Sequence, residues 1–273
     1  MFIHKKNMIT FSTCFYILKS KVPPTTYILW MNNFLHIVKN FNLVIYTNAE
    51  TCRLIDTKGN PRIKVVLKEL DQFHTFSLKN NWVNNHEKNE LLNKRVQWEV
   101  NMLWSEKIFF VYETVQQQYF ASEFYGWCDI GYFRNTDKNT HTYHLQMWPS
   151  PEKVEQLNRE KIYYGCIAND DRYLKKLNDI VQNKNANGLP YKPIPPNQNS
   201  IAGNFFLLHK HKISWWAKTY YDKLRLYFQH NYLVKDDQII LLDCIFTNIS
   251  EFVLVKENVQ HLDNWFLFQR FFI

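Results

Sequence analysis

Short, nearly unbroken apolar runs recur along the chain, and between them apolar residues return every three or four positions. Residues 8–18 (MITFSTCFYIL) read as a buried strand, closed by Pro23-Pro24 with Thr25 as the N-cap of a helix. In that helix Tyr27, Ile28, Met31, Phe34, Leu35 and Val38 share one face. Strands follow at 42–48 (NLVIYTN) and 62–70 (RIKVVLKEL). A long helix is expected over about 88–119, where Val100, Leu103, Trp104, Lys107, Ile108 and Val111 form a stripe. It leads into a fourth strand, FYGWCDI, at 124–130.

Ser150-Pro151-Glu152 combine an N-cap, an N1 proline and a first-turn acid, and start a short helix before the strand KIYYGCI at 161–167. Residues 182–200 are polar and proline-rich, the composition of a long loop that serves either as a lid or as a surface insert. A strand at 201–209 (IAGNFFLLH) precedes a helix whose apolar face carries Ile213, Trp216, Ala217, Tyr220, Leu224 and Tyr227. Residues 235–246 (KDDQIILLDCIF) begin another helix with its acids at the N-terminal end, 251–256 (EFVLVK) form a strand, and NWFLFQRFF closes the chain. Strands alternating with helices of this length predict the α/β class, a single domain over 1–273 with a mainly parallel central sheet flanked by helices. No internal repeat or second domain boundary is legible.

The chain's 273 residues, 46% of them hydrophobic, suffice for one large core. A net charge of +8 favours anionic partners such as phosphates, nucleotides, nucleic acid or a membrane surface. Abundant Lys and Asn with only 6 glycines also mark an AT-rich genome, such as that of a virus, so part of this charge reflects codon bias. The five cysteines are far apart, odd in number and form no CxxC pair, which argues against a zinc or dithiol site. The basic segment 1–6 is followed by an apolar run too short for a signal peptide, and no stretch is long enough to span a membrane. The expectation is a cytoplasmic protein, in the host cytoplasm if viral.

Asp129 stands out because an aspartate is seldom buried among aromatic and apolar residues unless paired or bound to a metal. It lies at the end of a predicted central strand, where open α/β sheets bind ligands, and Gly131 allows close approach to the backbone. A carboxylate there suits a divalent cation whose other ligands are phosphate oxygens and water. An Asx-turn at a strand end is the structural alternative.

The order TFSTCFY, NLVIYTN, WEVNMLWSEKIFFV, YGWCDIGYFR, IAGNFFLLHKHKISWWAKTYY, VKDDQIILL resembles the WlaTC/HtrL-type glycosyltransferases, over roughly residues 8–256. The resemblance rests on W-C-D-I-G with the trailing Arg134, W-x-x-K at Trp104–Lys107, G-N-F at 203–205 and D-D-Q at 236–238. It implies a GT-A-like nucleotide-diphospho-sugar transferase fold, a nucleoside diphosphate sugar as donor, a glycan or other hydroxyl acceptor, and Mn2+ or Mg2+ as cofactor. Asp129 is then the expected metal ligand, with His261 as an additional one. Lys107, Arg134, Gly131, Thr10 and Thr47 are expected on the donor side. Gln238, Gly203 and Asn204 are expected on the acceptor side, with Asp237 first and Asp236 second as catalytic carboxylates. Where many GT-A enzymes have Asp-x-Asp, this chain has Asp129-Ile130-Gly131.

Simpler roles exist for several of these residues. Lys107 would snorkel from an amphipathic helix, and Asp236 and Asp237 would cap a helix and offset its dipole. Two other functions compete: a catalytically inactive GT-A-like glycan-binding module, and a basic nucleic-acid-binding protein. The second is disfavoured because the aromatics fall on faces expected to be buried and no nucleic-acid-binding motif is present, so no specific nucleic acid is expected as partner.

Overall fold

The computed structural model describes residues 9–273, so Met8 and the basic segment 1–6 lie outside the described residues. The elements run β1 (Ile9–Phe15), α1 (Pro24–His36), β2 (Phe41–Thr47), β3 (Ile63–Leu67), α2 (Lys79–Lys88), α3 (Trp98–Gln117), β4 (Phe124–Cys128), α4 (Pro151–Glu155), β5 (Ile162–Cys166), α5 (Asp171–Gln182), β6 (Ile201–His209), α6 (Ile213–Gln229), α7 (Asp237–Thr247), β7 (Phe252–Val255) and α8 (Leu267–Phe271). The strands form one seven-stranded sheet in the order β3-β2-β1-β4-β6-β5-β7. Every neighbouring pair is parallel except those made by β6, which runs antiparallel to both β4 and β5.

Helices cover both faces of the sheet, which explains why the central strands read as continuous apolar runs. On β4, Phe124 and Cys128 point into a core with α1, α4 and α8, while Tyr125 and Trp127 point into the opposite core with α3, α6 and α7. β1 and β2 are buried along their whole length, whereas β3, at the sheet edge, is only partly covered.

Three local expectations are corrected. α1 starts at Pro24 with Pro23 as its N-cap residue, so Thr25 lies inside the first turn, because proline's fixed φ suits that position. The helix expected over 88–119 forms only as α3 (Trp98–Gln117), and residues 89–97 before it are turns that follow α2. There the backbone closes turns, with the Leu92 and Asn93 amides donating to Asn89 O at 2.9 Å and the Arg95 amide to Leu92 O at 2.8 Å. Asn89 Nδ2 donates to Lys235 O at 2.9 Å, and Gln97 exchanges hydrogen bonds with Lys19 at 2.7 and 3.0 Å. Helix α5 was absent from the expected elements, although Asp170 caps it by accepting from the Arg172 and Tyr173 amides.

The segment after α5 is irregular, as expected, but it is neither a loose insert nor a detached cover. Leu189, Ile194, Gln198 and Ser200 are buried. Lys184 Nζ lies 2.6 Å from Asp243 Oδ1 on α7.

Candidate active site

β1 and β4 are adjacent and parallel, but the connection from β1 leads first to β2 on its other side. This reversal of direction opens a crevice beyond the carboxyl ends of β1 and β4, the usual ligand position in such sheets. A cleft of about 110 Å³ occupies that place, lined by Phe15 and Tyr16 at the end of β1 and by Asp129 and Gly131 after β4. Its volume holds only part of a nucleotide-sized ligand, so the remainder would extend through the open side.

The antiparallel course of β6 completes the site. Because Cys128 pairs with Phe205, the first residues of β6 meet the end of β4, and the Asp129 amide donates to Asn204 O at 2.9 Å. Gly203 is thereby placed beside α3 and the N-terminus of α7, and its carbonyl accepts from Lys107 Nζ at 2.8 Å.

Lys107 is the centre of the arrangement. Its ammonium lies 3.3 Å from Asp129 Oδ1 and 3.2 Å from Asp237 Oδ2. Burial pulls the Lys107 pKa down, but the two carboxylates outweigh it and raise the value above its ordinary one, so the residue stays charged. It is a buried ion-pair partner and not a snorkelling lysine. Asp129 Oδ1 also accepts from Trp127 Nε1 at 2.5 Å, an interaction that follows from the i, i+2 placement of the two residues. The Asp129 side chain is nevertheless 37% exposed, facing the cleft.

Asp237, only 9% exposed, is different. Burial pushes its pKa up first, Lys107 opposes this, and Asp236 and Asp129 add to the rise, leaving it at about 6. It does not line the main cleft. It lines a cavity of about 10 Å³ behind Lys107, with Trp104 and Lys107 common to both spaces. Asp236 occupies the N-cap position of α7 but makes no side-chain cap hydrogen bond, so the capping alternative is not realised. Its Oδ2 lies 2.5 Å from Lys235 Nζ, while Oδ1 is buried without a hydrogen-bond partner among the described residues.

Arg134 is clamped at the cleft wall. Its guanidinium stacks 4.2 Å from the Trp30 ring centroid and 4.8 Å from that of Phe266, and Nε donates to Gly131 O at 2.9 Å. Burial lowers its pKa, and among the described residues no carboxylate lies within ion-pair distance of it. Gly131 is needed for close approach, since a β-carbon there would lie 2.8 Å from Trp30.

The other expected site residues divide clearly. Asn204 lines the cleft and donates from Nδ2 to Trp265 O at 2.8 Å. Thr10 is corrected: it lies at the opposite end of β1, fully buried and hydrogen-bonded to Ser122 Oγ at 2.8 Å. Thr47 is corrected too, because its buried hydroxyl donates to Phe15 O at 2.7 Å and supports the cleft wall without reaching it. Gln238 is buried in the first turn of α7, away from the cleft lining. His261 lies on an exposed turn in a separate surface cleft with Lys138, Asn199 and Asp263, so the fold does not bring it to Asp129. Among the described residues no group of three or more His, Cys, Asp or Glu side chains is placed to hold a metal ion.

Trp127, Trp30 and Phe266 were not anticipated, and only the Trp127-to-Asp129 spacing carried a signal in the sequence. No protein-family model matches the chain, and no curated protein matches it. Among the described residues no helix is long and apolar enough to cross a membrane.

Proposed function

We propose that the protein is a glycosyltransferase of GT-A-like architecture that moves a sugar from a nucleoside diphosphate sugar to a glycan or other hydroxyl acceptor. The observation that carries this reading is Arg134, a partly desolvated guanidinium stacked on Trp30 and Phe266 in the crevice at the sheet's switch point, with no carboxylate within ion-pair distance among the described residues. A charge in that state favours an anionic ligand, and a planar guanidinium matches phosphate oxygens well. Lys107 and Arg134 together would neutralise the charge that develops on a leaving diphosphate.

The donor set at Asp129 fits a divalent cation that arrives with phosphates. Oδ1 is engaged by Trp127 and Lys107, the side chain is open to the cleft, and Mg2+ commonly takes one or two carboxylates plus phosphate oxygens. Asp129 would hold Mn2+ or Mg2+, whose contribution is further charge neutralisation at the diphosphate. On the other side of Lys107, Asp237 has the raised pKa expected of a group that exchanges a proton with an acceptor hydroxyl near neutral pH.

Calorimetry with UDP and GDP, with and without Mn2+, tests the donor side. Asp129→Asn should lose the Mn2+-dependent part of binding while retaining its fold. Nucleotide release should be measured across common UDP- and GDP-sugars with Mn2+ or Mg2+. Failure of the wild-type protein to release nucleotide from any of them would overturn the reading.

A further inference from the structure

The end of the sheet opposite the cleft holds a second cluster of titratable side chains. β4 and β6 are antiparallel with Phe124 opposite His209, so the end of β6 lies beside the start of β4. After His209 the chain turns into a 3-10 helix, Lys210–Lys212, and the His211 ring comes back onto His209. The ring centroids lie 4.4 Å apart, and the two Nδ1 atoms face each other at 2.6 Å. His209 is held from two further sides, by the Phe124 ring, edge-on at 5.4 Å, and by Glu123, whose Oε2 lies 3.1 Å from Nε2. Glu123 is fixed in turn by Lys210 Nζ, 2.6 Å from Oε1, with Arg159 Nη1 3.8 Å from Oε2. The His211 side chain, 42% exposed, brings the pair to the surface, and its Nε2 lies 3.4 Å from Glu160 Oε2.

The hydrogen positions follow from these partners. A carboxylate only accepts, so the Nε2 atom facing Glu123 carries hydrogen, as does the one facing Glu160. His209 Nδ1 also receives the His211 amide, at 3.5 Å. A neutral ring has a single N–H, so both Nδ1 atoms are left as lone pairs, and they converge. Two lone pairs at 2.6 Å repel each other unless a proton or a metal ion lies between them. A proton there makes one ring an imidazolium, a state that an ordinary histidine leaves above about pH 6.5. A metal ion needs no such charge, and donation from the other ring nitrogen to a carboxylate is the usual setting of a metal-binding histidine.

We propose that His209 and His211 bind a divalent transition-metal ion through their Nδ1 atoms, with Glu123 and Glu160 orienting the rings and water completing the coordination. Imidazole nitrogens about 2.0 Å from a metal lie about 2.8 Å apart at a right angle and about 3.3 Å apart at a tetrahedral one. The observed 2.6 Å is nearer the first, which favours Cu2+ or Ni2+ over Zn2+ and asks for only a small parting of the rings. Glu123 precedes β4, Glu160 precedes β5 and His209 ends β6, so the ion would tie three strands together. None of these residues lines the cleft, and the site is independent of the transferase reading.

Calorimetry with Cu2+ and with Ni2+, at about pH 7.5 and on the full chain without an added histidine tag, tests the site. One ion should bind per chain, and excess Mg2+ should not compete, because a hard cation prefers oxygen ligands. Electron paramagnetic resonance of the Cu2+-loaded protein should show two coordinating imidazole nitrogens. His211→Ala, at an exposed position where the fold tolerates truncation, should weaken binding by about tenfold or more and remove the two-nitrogen signal. His141→Ala/His144→Ala, which removes the other histidines close together in sequence, should leave binding unchanged. Absence of binding to the wild type would mean that the rings share only a proton, and would overturn the site. Binding that survives His211→Ala, or that is lost in His141→Ala/His144→Ala, would put the ion elsewhere and overturn it equally.

Discussion

Gly203 and Asp237 are packed so closely that a β-carbon on the glycine would lie 2.6 Å from Asp237 Oδ2. That oxygen is not free to move, because it is held 3.2 Å from the Lys107 ammonium. The absence of a side chain at one position thus fixes where a carboxylate on another element can sit.

Gly203→Ala should therefore destabilise the protein by about 1–3 kcal/mol, the usual range for overpacking a tight site. It should also displace Asp237 and lower nucleotide release. A denaturant titration alongside the release assay checks both. A variant as stable and active as the wild type would show that the close fit has no consequence.

The Asp237 carboxyl has its pKa raised from 3.8 to about 6, so the folded state holds this proton more tightly than the unfolded chain. Its contribution to stability is full below the unfolded value and is lost as pH rises through the folded one. Asp237→Asn cannot titrate, so wild-type stability minus variant stability should fall, by up to about 3 kcal/mol, between about pH 4 and pH 6. If Asp237 receives the acceptor's proton, turnover moves the other way and rises over the same interval. Turnover of Asp237→Asn should drop by ~10² or more with donor affinity nearly intact. Normal nucleotide release from this variant would remove the catalytic assignment.

Arg134 tests the phosphate site. Both Arg134→Ala and Arg134→Lys should weaken UDP or GDP binding by about ten- to a hundredfold, because lysine reproduces neither the fork of donors nor the stacking on Trp30 and Phe266. Full rescue by lysine would mean that only the charge matters. Unchanged affinity in both variants would remove Arg134 from the site.

A fourth prediction concerns the segment after α5. Asp243, fully buried on α7, accepts from Tyr227 at 2.9 Å and Thr247 at 3.0 Å and pairs with Lys184 at 2.6 Å and Lys223 at 3.2 Å. Asp243→Asn would strand two partly buried lysines and should cost about 3–5 kcal/mol. It should also speed chymotryptic cleavage after the exposed Tyr191 by freeing the packed segment. Equal cleavage rates in wild type and variant would show that Lys184 does not anchor it.

The sequence alone determined the α/β class and most of the elements, because strands buried on both faces must be apolar throughout and their covering helices must carry apolar stripes. It also marked Asp129, whose charge conflicts with its apolar neighbours, and the acids at the start of α7. What it did not determine was which of these residues meet. Thr10 and Thr47 have the same polarity as residues that line clefts, yet strand order buries one at the far end of the sheet and turns the other toward a backbone carbonyl. Asn85 on α2, Asn89 just after it and Asn101 on α3 all donate to the distant carbonyls of Val234 and Lys235, and no local pattern encodes that convergence. The antiparallel course of β6 brought Gly203 and Asn204 to the end of β4, and only that placement made Lys107 the bridge between Asp129 and Asp237. Local periodicity is set by side chains a few positions apart, whereas the site is set by pairings between strands and helices from about twenty to more than a hundred residues apart, which only the folded chain brings together.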